Sequence, residues 1–251
     1  MKIENTCAVI TGGASGLGEA TARHFAANGA KVALFDLNEE AGEKVAAELG
    51  GTFHKTDVTN EDSVRASITA AREAMGTINA AVNCAGIAPA ATTVGKKGPH
   101  PLDMFQKTID INLVGSFNVA RLAAEVMAEN AADDDNARGV IINTASIAAM
   151  DGQRGQAAYA ASKGGIVGLS LPMARDLSKL GIRVMAIAPG IFLTPMLMGL
   201  PQEVQDTLAA DVTFPKRLGN PNEYARLAQF IVECGYMNGE VIRIDGALRM
   251  Q

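Results

Sequence analysis

Short apolar runs, each followed by a longer stretch of helical spacing, repeat along this chain from end to end. Cys7–Thr11 is apolar up to Gly12-Gly13, and Glu19–Asn28 then carries helical spacing that stops at Gly29. Lys31–Asp36, Thr52–Asp57 and Ala80–Cys84 are the next runs, and Gly139–Thr144, Ile182–Ala188 and Glu240–Ile244 complete them. Glu39–Leu49 and Glu61–Met75 lie between the early runs, each closed by glycine. A helical stretch from about Leu102 to Asn130 and another from Ala157 to Lys179 separate the later ones. Runs this apolar are strands covered on both faces, as in a parallel sheet. Strand and helix alternation predicts βαβ units with right-handed crossovers. The 251 residues fit one large α/β domain as well as two small ones, and no linker or repeat divides them. Two stretches break the rhythm. Ile87–Pro101, with three prolines and two glycines, reads as a loop, and Pro189–Pro221, with five prolines, as a candidate lid. The acidic patch Ala131–Asn136 reads as a solvated turn or helix end.

Composition excludes several classes. The net charge is −5, and no Lys/Arg cluster exceeds the pair Lys96-Lys97, so nucleic acid is not an expected partner. Three scattered cysteines without a C-x-x-C spacing read as reduced, intracellular thiols. The apolar runs fall far short of the ~18 residues a membrane span needs. The first strand pattern begins too near Met1 to leave room for a signal peptide, so the expectation is a soluble cytoplasmic protein. His24, His54 and His100 are too far apart to suggest a metal site, and none is expected.

Gly12, Gly16 and Gly18 space the turn between the first strand and first helix as G-x-x-x-G-x-G. Glycines permit a tight turn and close backbone approach, and the helix N-terminus beyond offers free N–H groups to a pyrophosphate. Asp36 ends the second run, 18 residues after Gly18. A carboxylate there accepts hydrogen bonds from adenosine ribose hydroxyls and repels a 2′-phosphate, which favours NAD over NADP. Asp57 and Val58 follow, where an adenine would lie, although Asp57 is equally suited to capping a turn. Asn83-Cys84-Ala85-Gly86 ends the fourth run with small residues that let a cofactor cross the strand ends. Cys84 reads as a space-filler rather than a nucleophile.

Ser146 follows the fifth run, and Tyr159 and Lys163 lie 13 and 17 residues further on. Their i, i+4 spacing puts Tyr159 and Lys163 on one helix face. A free phenol has a pKa near ~10 and is a poor base at neutral pH. A neighbouring ammonium and a positive nicotinamide both favour the phenolate, which makes Tyr159 a candidate general acid/base. The Ser146 hydroxyl is suited to holding the substrate oxygen as charge develops on it.

Together these residues resemble the short-chain dehydrogenase/reductase family over essentially the whole chain. Thr11-Gly12-x-x-x-Gly16-x-Gly18, Asn83-x-Ala85-Gly86, Asn112, Ser146, Tyr159-x-x-x-Lys163 and Pro189-Gly190 stand where that family has its motifs. The resemblance implies an α/β fold over 1–251: a single doubly wound Rossmann-type domain, with a seven-stranded parallel sheet and helices on both faces. It implies that Lys163 also binds the nicotinamide ribose, that the Asn112 backbone holds a water in a proton relay, and that Thr194 meets the carboxamide.

Ala81–Ile87, Gly139–Ser146, Gly155–Tyr159, Ser162–Gly168 and the tail Asn238–Gln251 further resemble the branch that oxidises the 3-hydroxyl of acyl-CoA with NAD. That branch implies a homotetramer and some activity on steroids and short alcohols. It implies cofactor contacts at Ser15, Leu17, Asp36, Asp57, Val58, Cys84, Tyr159, Lys163 and Phe192. Substrate would lie at Ser146 and Tyr159, with Gln153 and Gln156 near. Lys96 and Lys97 are expected to approach the CoA phosphates, and the methionines of the lid, Met196 and Met198, to form an apolar cover. Two rivals stand beside this reading: another reaction of the family on a steroid, sugar or small alcohol, and a cofactor-binding regulatory protein without catalysis.

Overall fold

The computed structural model describes residues 1–250 except Lys97 and Leu200; the Met196 side chain is also outside the described residues. Expectations for Lys97, for the Met196 side chain and for Gln251 therefore lie outside them.

Seven strands of one parallel sheet form among the described residues. They are β1 (Cys7–Thr11), β2 (Lys31–Asp36), β3 (Thr52–Lys55), β4 (Ala80–Asn83), β7 (Gly139–Thr144), β8 (Ile182–Pro189) and β9 (Val241–Ile244). Their order is β3-β2-β1-β4-β7-β8-β9. The chain runs outward from β1 to β3, then returns to pair β4 with β1, Thr11 opposite Asn83. That reversal opens a crevice at the C-terminal strand ends, where doubly wound sheets bind ligands.

Every residue of β1, β4, β7 and β8 is buried, and alternate residues serve opposite layers. Val9, Ala81, Ile141 and Val184 face α3 (Glu61–Met75), α5 (Gly115–Met127) and α6 (Ala157–Leu177). Ile10, Val82, Ile142 and Met185 face α1 (Gly16–Ala27), α2 (Glu39–Leu49) and α9 (Pro221–Glu233). Among the described residues no helix is long and apolar enough to cross a membrane.

The structure departs from the sequence pattern in four places. The third strand stops at Lys55, because the Asp57 carboxylate accepts from both the amide and the hydroxyl of Thr59 and starts a turn. The loop after β4 carries a short antiparallel pair, β5 (Val94–Gly95) with β6 (Gly98–Pro99). The long helical stretch is α4 (Leu102–Ile109) and α5, joined by a π-helical turn at Asp110–Val114. The lid contains α7 (Pro195–Met198) and α8 (Gln202–Asp211). The acidic patch is a turn: Asp133 accepts from the amides of Asp135 and Ala137.

Candidate active site

The crevice is a cleft of about 860 Å³. Gly12, Ser15, Gly16, Leu17, Gly18, Asp36, Asp57, Val58, Cys84, Ala85, Gly86 and Thr194 all line it. Gly12 and Gly16 have φ of +65° and +58°, where side chains are strained. A Cβ on Gly18 would collide with the Gly12 carbonyl. Ser15 is the N-cap of α1 but makes no side-chain cap, so the turn presents its backbone to the cleft. These features suit a pyrophosphate.

Asp36 is held from two sides. One oxygen accepts from Ala14 N at 3.1 Å and the other from Asn38 N at 3.0 Å. Asp57 does both things its position allowed: it lines the cleft and its side chain caps the turn through Thr59. Thr194 comes from the lid; a Cβ on Gly16 would lie 3.6 Å from its methyl group.

The chemical residues gather behind Gly86, which lines this cleft, and are not themselves part of its lining. A Cβ there would lie 3.1 Å from Asn112 Oδ1 and 3.7 Å from Lys163 Nζ. Ser146 caps the short turn after β7 by accepting from Ala148 N at 3.1 Å, and its hydroxyl bonds to Tyr159. Lys163 is buried beneath them and donates to the Thr144 carbonyl at 2.7 Å, with its ammonium 5.8 Å from the Tyr159 ring centre. Burial pushes the Tyr159 phenol above its usual value, and the hydrogen bond from Ser146 pulls the other way. Burial likewise pushes Lys163 down to about 8, opposed by Cys84. Lys163 alone thus does not bring the phenol down, as the spacing of the pair had suggested. Additional positive charge is required, and an oxidised nicotinamide carries it.

Asn112 lies in the π-helical turn. Its side chain brackets Ile87, accepting from the amide and donating to the carbonyl, and also donates to Ser162 on α6. Its own carbonyl accepts from Ser116 Oγ at 2.7 Å. Pro189 ends β8, buried opposite Ile244.

Three residues do not join this group. The Phe192 ring is buried in the lower core layer against Gly219, away from the cleft lining. What it offers the site is its carbonyl, which accepts from Thr194 N at 2.8 Å. Gln153 and Gln156 border a separate hollow of about 390 Å³, with Thr92, Thr93 and Val94, and Gln156 is occupied with the Gln153 amide.

Other residues have roles that the sequence did not assign to them. The Thr11 hydroxyl accepts from both Cys84 N and Ala85 N, at 3.1 and 3.0 Å, joining β1 to β4 at the mouth of the cleft. Asn83 and Asn143 bond to one another beneath it. Tyr224, fully buried on α9, reaches Thr144. In a chain with only three tyrosines, a tyrosine on the apolar face of a helix was the available signal, because a buried phenol needs a partner. Cys84 keeps its space-filling role, its thiol pushed up by burial. Among the described residues no three His, Cys, Asp or Glu side chains gather as a metal site requires.

Comparisons with known proteins agree with this geometry. The family model "short chain dehydrogenase" matches residues 6–205. The chain is 55% identical over 253 residues to 3-hydroxyacyl-CoA dehydrogenase type-2 of Bos taurus, covering 99% of this chain and 97% of that one. It is 54% identical to the Homo sapiens protein of the same name, with the same coverage. The crystal structure of 3-hydroxyacyl-CoA dehydrogenase type-2 from Mycobacterium avium superposes with a TM-score of 0.94 at 46% identity, covering 97% of this chain and 96% of that one. The chain belongs to the short-chain dehydrogenase family and is an oxidoreductase built on a doubly wound, seven-stranded parallel sheet.

Proposed function

We propose that this enzyme oxidises (S)-3-hydroxyacyl-CoA to 3-ketoacyl-CoA, reversibly, with NAD(H) as cofactor. The observation that carries the reading is the meeting of Ser146, Tyr159 and Lys163 behind Gly86, in the wall of a cleft that a fixed Asp36 also lines. The relatives' names supply the substrate class. When bound, NAD supplies the hydride acceptor.

The chain's own residues do the rest. The Gly12–Gly18 turn takes the pyrophosphate, and Asp36 takes the ribose hydroxyls and excludes a 2′-phosphate. Val58 and Asp57 border the adenine, and Ala85, Gly86 and Pro189 leave room for the nicotinamide half, with Thr194 at its carboxamide. Cys84 lends its small side chain to the same wall. Ser146 and Tyr159 hold the substrate hydroxyl, and Tyr159 removes its proton in oxidation and returns it in reduction. Lys163 binds the ribose and favours the phenolate by its charge. Asn112 holds Ile87 and Ser162 in place, and its backbone would hold a water in a proton relay to Lys163.

The whole chain, 1–251, works as one domain, as the unbroken sheet from β1 to β9 supports. Exposed Val114, Phe117, Leu171, Phe230 and Tyr236 on and beside α5, α6 and α9 support association, in the manner of a homotetramer. A cytoplasmic role in fatty acid metabolism fits the substrate class.

The deciding experiment is a steady-state assay of acetoacetyl-CoA with NADH and with NADPH. Turnover with NADH and a strong preference over NADPH are expected. No turnover of acetoacetyl-CoA, beside activity on a steroid or small alcohol, would overturn the substrate.

A further inference from the structure

Tyr224 stands outside every motif of the site, yet its hydroxyl reaches the back wall. It lies on α9, is fully buried, and shares its helix face with Ala225, Ala228, Ile231 and Val232. A phenylalanine would satisfy that apolar face. The tyrosine hydroxyl instead lies 2.7 Å from Thr144 Oγ1 and 3.6 Å from the Cys84 thiol. Thr144 Oγ1 is itself 3.6 Å from that thiol, so groups from α9, β7 and β4 close a triangle inside the core. Buried polar groups are costly unless paired, so these three are mutually dependent.

Thr144 matters because of its other end: its carbonyl accepts Lys163 Nζ at 2.7 Å. Thr144 is the last residue of β7, and the β4–β7 register stops one residue earlier, at Asn83–Asn143. On that side the side-chain triangle is what continues the join between the strands. A lysine has a flexible four-carbon stem, so the acceptor it meets decides where its charge sits. The titratable groups facing Lys163 are Tyr159 on its own helix, Cys84 at the end of β4, and Tyr224 behind Thr144.

We propose that Tyr224 is a positioning residue for the reaction: by hydrogen bonding to the Thr144 side chain, it secures on the β4 side the strand end whose carbonyl holds the Lys163 ammonium, where the ladder to β8 secures the other side. The inference rests on the reading that charged Lys163 assists Tyr159. Ala145 N, in the same peptide plane as that carbonyl, donates to the Ile187 carbonyl at 2.8 Å on the β8 side, so removing the Tyr224 hydroxyl frees only the β4 side of the strand end. The carbonyl shifts rather than turns, and an ammonium whose acceptor is less well placed is disfavoured relative to the neutral amine.

The test uses full-length enzyme labelled with 13C at lysine Cε, with the Lys163 resonance assigned by its loss in Lys163→Met. Its titration is followed by NMR, and kcat is measured with acetoacetyl-CoA and NADH. Tyr224→Phe should lower the Lys163 midpoint by about half a pH unit. It should lower kcat by about three- to tenfold, with KM for NADH little changed. Thr144→Val removes the same hydrogen bond from the other end, and the double variant should add nothing further. Thr144→Val also serves if Tyr224→Phe fails to fold. A folded variant with an unmoved midpoint would overturn the proposal, as would a moved midpoint with unchanged kcat. If Lys163→Met also left kcat unchanged, the reading of the lysine itself would fall. If Lys163→Met abolished turnover, the role of Tyr224 alone would.

Discussion

The turn after β1 and the lid between β8 and α9 meet across one cleft, at Gly16 and Thr194, and are held in opposite ways. The turn hangs on the backbone of buried strands. Gly12 N donates to the Phe35 carbonyl at 2.8 Å, Ala14 N donates to Asp36, and Gly18 leaves no space for a side chain. The base of the lid is anchored, with Gly219 paired to Ile191 and Leu193 through the backbone and Phe192 and Val212 buried. Its outer part rests on surface contacts, Arg217 against Glu223 and Lys216 against the Ala210 carbonyl, and leaves Met198, Val204 and Phe214 exposed. Surface ion pairs contribute ~0–1 kcal/mol each. The cofactor half is therefore built before anything binds, and the substrate half stays adaptable, with a methionine on its cover.

Substitutions should separate the two halves. The largest effect is expected at Tyr159, which faces both. Tyr159→Phe should cut turnover by ~10²–10⁴ while leaving NADH affinity, read by fluorescence titration, within a factor of two. Turnover within tenfold of the parent would remove Tyr159 from the chemistry. Next comes a contrast between the halves. Gly18→Ala forces a methyl group into the Gly12 carbonyl and should destabilise the protein by ~1–3 kcal/mol, weakening NADH binding with it. Met198→Ala on the exposed lid should stay within ~0.5 kcal/mol in urea denaturation and act on KM for the acyl-CoA instead. Equal losses in the two variants would erase the distinction.

A smaller effect is expected in pH dependence. Lys163 is pushed down to about 8 from an ordinary 10.5, so between those values the unfolded chain binds more protons than the folded one. Stability from this group therefore rises with pH across that window. The buried thiols of Cys7 and Cys84 and the phenols of Tyr159 and Tyr224 are pushed up and act in the opposite sense above their ordinary values of 9.0 and 10.0. Between pH 8 and 9 the lysine stands alone among them. The parent should gain stability there relative to Lys163→Met, and parallel curves would contradict the assignment. Smallest is the effect of the lysine pair: Lys96→Ala with Lys97→Ala should raise KM for acetoacetyl-CoA by about two- to fivefold, less at high salt, with KM for NADH unchanged.

The cofactor half was largely legible in the sequence because its requirements are local. Gly12, Gly16 and Gly18 answer to backbone conformation and close approach, and Asp36 answers to its place at a strand end. Tyr159 and Lys163 have a spacing that chance often supplies, and are read as a site from their order after the Gly-rich turn, Asp36 and Ser146. What stayed hidden depends on distant segments meeting. Tyr224 lies 80 residues from Thr144, and nothing near either one announces the other. The π-helical turn at Asp110–Val114 hides in an unbroken helical pattern, because apolar periodicity does not report a shift of one residue in the hydrogen bonding. Phe192 shows the converse limit. Its place in a resemblance suggested a cofactor contact, and packing against Gly219 turned its ring into the core.

The Thr11 hydroxyl has a consequence for which sequences this fold admits. One oxygen satisfies two amides, Cys84 N and Ala85 N, and stands nearly inaccessible to water. Valine has the same shape, but it would strand Ala85 N at a cost of ~1–3 kcal/mol and leave Cys84 N only its longer bond, 3.3 Å, to the Thr11 carbonyl. Alanine would do the same and leave a hole as well. Serine alone keeps the oxygen. At the mouth of the cleft the alphabet of twenty shrinks to two letters, and substitution there tells a drifting chain from one still under selection for its cofactor.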